Sequence, residues 1–212
     1  MLLLNPSLGL IVALALIIFV ALPFHEFAHA LAAYRLGDGT AKLFGRLTLN
    51  PLAHVDPIGA LLIVLVGFGW AKPTPVNPLN LRGGRQGEAL VAFAGPASNL
   101  VLAAAAAIPL RYAIATDLQL PEIVFGMLQF FIQINLVLMV FNLLPIPPLD
   151  GSKVAFALMD RRTEMQWRPV LEQYGFLILI AVAFLPILPG GTILDVVFDA
   201  VVRPLFRLLV GI

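Results

Sequence analysis

Four stretches of this chain, residues 1–24, 89–110, 123–149 and 173–194, contain no charged side chain. Each reaches the twenty or so residues that a mostly apolar helix needs to cross hydrocarbon. Inside a bilayer every backbone N–H and C=O has to be paired within the protein, so uninterrupted runs of this length fold as spanning helices. The whole chain agrees with that reading: 60% of its 212 residues are hydrophobic, 12% are charged and the mean hydropathy is +0.98, far from the values of a soluble domain. A formal net charge of +1 with no long basic run excludes a polynucleotide-binding surface.

The first run lacks the basic flank and small-residue cleavage site of a signal peptide, so it reads as a retained helix. Residues 57–71 are apolar but shorter and lie between Pro57 and Pro73, which predicts a re-entrant or tilted segment. Lys and Arg favour the cytoplasmic ends of spans, and here they gather in three groups: Arg35, Lys42 and Arg46; Lys72, Arg82 and Arg85; Lys153, Arg161, Arg162 and Arg168. All three groups lie inside if residues 57–71 turn back, and the N-terminus then lies outside. Thr40, Lys42, Arg46 and Thr48 alternate with apolar neighbours, the two-residue period of a half-buried strand or hairpin over residues 40–49. Asp195, Asp199, Arg203 and Arg207 recur every four residues among Val and Leu, which predicts a C-terminal amphipathic helix at the interface. The expected fold is an all-α polytopic helical bundle of about four full spans. To these it adds the re-entrant segment, the hairpin and the amphipathic helix, all in one membrane domain over residues 1–212.

His25-Glu26-Phe27-Ala28-His29 is an HExxH motif. On a helix its histidines stand one turn apart on one face, where both imidazoles can reach a single Zn²⁺, and Glu26 beside them can take a proton from water. Paired helical histidines are also ordinary core residues. These two, however, extend a charge-free run, and ionisable groups at membrane depth are costly enough to mark function. With no cysteine in the chain, the third ligand has to be a carboxylate or another imidazole. Asp150 is the best candidate, because it closes a stretch from Asn142 to Gly151 in which Pro145, Pro147 and Pro148 break a helix. Irregular backbone at that depth lines a wet cavity or is buried in protein; the plainer role for Asp150 is to cap the helix that follows. His54 is the rival ligand, in a proline-flanked loop beside Asp56, where an interfacial hydrogen bond is the plainer role. Asn142 and Asn99 each accompany a proline-bearing break and could donate to a substrate carbonyl or an oxyanion. Gln129, Gln133 and Asn135 read as interhelical glue.

Three segments in this order, His25 to His29, Ala94-Gly95-Pro96-Ala97-Ser98-Asn99, and Asn142 through Gly151, resemble the site-2 protease family of intramembrane zinc metalloproteases. The resemblance covers roughly residues 8–160. It implies that Asp150 is the third ligand of one zinc ion, that the catalytic core is three helices with the site below the cytoplasmic face, and that membrane-anchored proteins are cut in regulated intramembrane proteolysis. It also implies that residues 40–49 are the hairpin to whose edge an unwound substrate adds as a strand. Residues 50–59 and 69–73 look like the compact bacterial branch, hence a multi-pass protein of the bacterial plasma membrane. Many relatives carry a PDZ or CBS domain, for which this chain has no room, so regulation is expected to fall to a membrane partner or to prior trimming of the substrate. The competing class is a zinc or other divalent-metal transporter, since His and Asp inside a membrane also mark ion paths. Gathering of the candidates into one cluster, with a Glu that need not ligate, favours hydrolysis, and a full set of ligands and base disfavours an inactive scaffold.

Overall fold

The computed structural model describes residues 8–66, 69–186 and 191–212, and among these it is helical throughout, with no strand. Four helices are long and apolar enough to cross a membrane, over Leu14–Arg35, Arg85–Ala115, Glu122–Asn142 and Arg161–Phe184. The protein is therefore an integral membrane protein of the polytopic helical class.

Helix α1 (Leu8–Leu16) runs through one π-helical turn, Ile17–Ala21, into α2 (Leu22–Arg35). Pro23 has no N–H to give to the preceding turn. The widened turn, in which the Leu22 N–H reaches the Ile17 carbonyl, accommodates it without ending the helix. The first apolar run thus continues past residue 24, and the HExxH residues lie within a spanning helix instead of just beyond it.

Residues 40–49 are not a hairpin. Asp38 accepts both the N–H and the hydroxyl of Thr40, which starts a short helix, α3 (Thr40–Leu43), and Gly45 then turns the chain at φ +67°. Local side-chain capping outweighs the alternation, which here has no partner strand. Helix α4 (Pro57–Val66) has ten residues, about 15 Å of helix, half of what a crossing requires. Residues 67–68 of the expected re-entrant segment lie outside the described residues, as do 1–7 of the first expected run and 187–190 of the fourth.

Helix α5 (Arg85–Ala115) is the longest of the described helices and packs against α2, α6, α7 and α9. Helix α6 (Glu122–Asn142) stops before residue 149, because prolines at 145, 147 and 148 exclude helical backbone ahead of them. Helix α7 (Asp150–Leu158) follows directly. Helix α8 (Arg161–Phe184) begins well before residue 173, since Asp160 accepts the N–H groups of Arg162 and Thr163 and Glu164, Arg168 and Glu172 are paired. Arg168 contacts Glu88, Glu164 and Glu172 at 2.9–3.2 Å, and Arg85 Nε lies 2.7 Å from Glu164. Helix α9 (Ile193–Val210) opens on a Thr192–Asp195 capping box and presses Val202 and Val210 into a core of Ala103, Ala107, Leu110, Ile132 and Leu136. Alanines on α5 let α6 and α9 approach closely.

Arg85 also donates to the carbonyls of Phe156 and Met159, capping α7. Replacing it by Ala removes that cap and leaves buried Glu164 with one cation fewer, a change expected to cost about 2–3 kcal/mol. Arg203→Ala, at an exposed pair with Asp199, is expected to cost far less. Thermal unfolding of the two variants in detergent checks the order.

Candidate metal centre

The two histidines of α2 face α5, which meets them with a glycine. A Cβ at Gly95 would lie 2.4 Å from His29 Nε2 and 2.6 Å from His25 Nε2, so only glycine leaves the ring nitrogens their common space. Asp150 arrives from the start of α7. It can do so because Gly151 packs on the end of α6, where a Cβ would sit 2.1 Å from the Leu143 carbonyl oxygen.

Asp150 Oδ2 lies 3.1 Å from each Nε2, and the two Nε2 atoms are 3.0 Å apart. Both rings are held from behind: His25 Nδ1 is 2.7 Å from Asn99 Oδ1, and His29 Nδ1 is 2.7 Å from the Val91 carbonyl oxygen. Oxygens of this kind only accept, so these contacts assign a proton to each Nδ1, and in the neutral rings each Nε2 is then a bare lone pair. Two imidazole lone pairs and a carboxylate oxygen then converge in a buried space with no proton to share, an arrangement that a cation resolves. A donor set of two nitrogens and one oxygen with an open side suits catalytic zinc.

Glu26, half-buried beside the cluster, accepts the Thr74 N–H at Oε2 (2.8 Å), while the Thr74 hydroxyl donates to the Glu26 main-chain carbonyl (3.0 Å). Pro73 and Pro75 have no N–H, so Thr74 carries the one amide that this stretch can offer. The strap from 71 to 77 is tied at both ends: the Lys72 N–H donates to the His54 carbonyl, and the Asn77 N–H to Asp38, each at 2.7 Å. Burial pushes the Asp38 carboxyl up, but donors from Thr40, Asn77 and Asn80 outweigh it and hold the group below the usual carboxylate range. The cluster opens into a cleft of about 190 Å³, walled by Pro73, Thr74 and Val76 of the strap, Asn142 at the end of α6, and Lys153 one turn on from Asp150.

The structure brings together His25, His29 and Asp150, with Glu26 at their side, and leaves His54 out. The His54 ring, the rival ligand, is fully buried with Nε2 donating to the Thr48 carbonyl at 2.8 Å, and it is not in the group of His25, His29 and Asp150. Asn99 does not reach the cleft as an oxyanion donor either: its oxygen faces His25 and its Nδ2 donates to Asn135 Oδ1 at 3.0 Å. Asn142 does line the cleft, with Nδ2 on the Leu138 carbonyl at 3.0 Å. Sequence reasoning missed Thr74 and Lys153. The Pro-Thr-Pro pattern, with its lone amide, and the three-residue step from Asp150 to Lys153 on a helix were the available signals.

A His-His-Asp cluster with a carboxylate at its side, its two histidines on a helix long enough to span and its aspartate at the start of the short α7, is the arrangement of an intramembrane metalloprotease. Known proteins point the same way. The family profile described as Peptidase family M50 matches residues 112–186. "Putative zinc metalloprotease YwhC" of Bacillus subtilis is 42% identical over 185 residues, covering 85% of this chain and 84% of its own length. "Putative zinc metalloprotease Rip2" of Mycolicibacterium smegmatis is 32% identical over 176 residues, 80% of this chain and 65% of that one. No solved structure matches. The chain belongs to peptidase family M50, the site-2 proteases, which are intramembrane zinc metalloproteases.

If the space left by Gly95 is where a metal sits, Gly95→Ala is expected to remove bound metal from the purified protein. Gly126→Ala, where a Cβ would have nothing within 4 Å, is expected to leave it unchanged. Metal analysis of the two variants against the unmodified protein decides.

Proposed function

We propose that this chain is a single-domain intramembrane zinc metalloendopeptidase that cuts membrane-anchored proteins within or near the bilayer, in regulated intramembrane proteolysis. The observation that carries this reading is the convergence of His25 Nε2, His29 Nε2 and Asp150 Oδ2, none more than 3.1 Å from another, beside Glu26 at an open cleft. His25, His29 and Asp150 hold one Zn²⁺. When bound, zinc supplies Lewis acidity, polarising a carbonyl oxygen and making water more acidic.

Glu26 takes the proton of the attacking water and passes it to the leaving nitrogen, so no covalent adduct with the protein is needed. The Thr74 N–H fixes one carboxylate oxygen of Glu26 and so aims the group. Asn142 and Lys153 stand in the cleft, where an amide donor and a positive charge steady the charge that develops on the substrate carbonyl. A spanning substrate hides its carbonyls in helical hydrogen bonds, so cleavage falls where Gly, Pro or polar residues loosen its helix near the cytoplasmic face.

The three basic groups favour an N-terminus outside and α4 as a re-entrant element, and the charged stripe of Asp195, Asp199, Arg203 and Arg207 favours α9 lying at the interface of a bacterial plasma membrane. A membrane partner or earlier trimming of the substrate sets the timing. A transporter would need several exchangeable sites along a path. Among the described residues, His25, His29 and Asp150 are the one such group of three.

Glu26→Gln tests the assignment of the base. The variant is expected to keep its zinc and to lose cleavage of a detergent-solubilised transmembrane substrate by about 10²-fold or more. Substantial remaining activity counts against Glu26.

A further inference from the structure

Behind His25 a file of amides runs from α5 into α6. Asn135 Nδ2 donates to the Phe131 carbonyl (2.8 Å), which turns Asn135 Oδ1 toward Asn99, where it accepts from Nδ2 (3.0 Å). That in turn points Asn99 Oδ1 at His25 Nδ1 (2.7 Å). Both asparagines are without solvent exposure. A main-chain carbonyl can only accept, so the first link sets the sense of every amide after it. The last acceptor then puts the His25 proton on Nδ1 and leaves the Nε2 lone pair facing Asp150 and His29. Were Asn99 reversed, its NH₂ would donate to Nδ1, the ring proton would move to Nε2, and the cluster would lose a ligand.

We infer that Asn135, on a different helix and outside the cluster, is a positioning residue that sets the tautomer of His25 and through it the affinity of the site for metal. The inference rests on the reading of His25 as a zinc ligand. Partners one shell beyond the ligands typically change affinity 10- to 100-fold. Asn135 lies one link further out, and the expected loss is about tenfold.

The chain has only three histidines, which makes the tautomers countable. His54 donates from Nε2, whereas His25 and His29 donate from Nδ1. Metal-free protein labelled with nitrogen-15 histidine should therefore show two rings protonated at Nδ1 and one at Nε2. Asn135→Leu fills much of the volume but frees Asn99, and is expected to change the His25 signals alone and to weaken zinc binding, measured by chelator competition, about tenfold. Asn135→Asp, buried as the neutral acid, can donate its O–H to Phe131 and accept from Asn99, and is expected to keep both readouts near those of the unmodified protein.

Unchanged zinc affinity and unchanged His25 signals in Asn135→Leu would overturn the inference. So would an Asn135→Asp variant that loses zinc or its His25 tautomer, or a shift of all three rings together, which marks a packing role only. Failure of the unmodified protein to bind zinc would instead overturn the metalloprotease reading, while the ring pattern would still decide whether Asn135 sets the tautomer.

Discussion

Two imidazole nitrogens 3.0 Å apart, each with its proton held on the far side of its ring, are the constraint from which the rest of this structure follows. In water such an arrangement would relax by hydration. On the far side of the rings, between packed helices, there is no such outlet, and each polar atom there has to be paired by the protein itself. That requirement explains why α5 turns a main-chain carbonyl, Val91, and an amide, Asn99, toward α2, and why the amide is itself backed by Asn135 from α6. The polar file is continuous because a break in it would leave a buried donor or acceptor unpaired.

The length of α5 lets one helix serve three purposes. Its first turns carry Arg85 and Glu88 into the ionic network that fixes α7 and α8, its middle carries Gly95 and Asn99 to the histidines, and its last turns bury Ala107 and Leu110 against α6 and α9. The position of Asp150 therefore depends on contacts at both ends of α7: Gly151 against Leu143 at its start, and Arg85 on the carbonyls of Phe156 and Met159 at its finish.

How much of this was legible in the sequence depended on the reach of each interaction. The HExxH pair is one helical turn, so its geometry follows from the period alone, and the proline break before Asp150 announces itself within ten residues. The alternation at residues 40–49 misled because a single side chain, Asp38, reset the local backbone. The roles of Asn99 and Asn135 were out of reach for a different reason. Their hydrogen bonds join residues 74 and 36 positions apart, and a lone asparagine in an apolar run looks the same whether it ties two helices together or orients a ligand.

The two halves of the site rest on different supports. His25, His29 and their acceptors belong to the facing helices α2 and α5, whereas Glu26 is aimed by a strap outside them. The donor on that strap is a backbone amide between two prolines, so no side-chain change at 74 other than proline can delete it, and the flanking rings limit how the strap can bend. Its registration comes from the loop that holds His54, whose carbonyl accepts the Lys72 N–H beside a single antiparallel bridge between Val55 and Ala71. The histidine that resembled a spare ligand thus bears on the other half of the site. It helps to set where the strap lies, and the strap sets where the Glu26 carboxylate points.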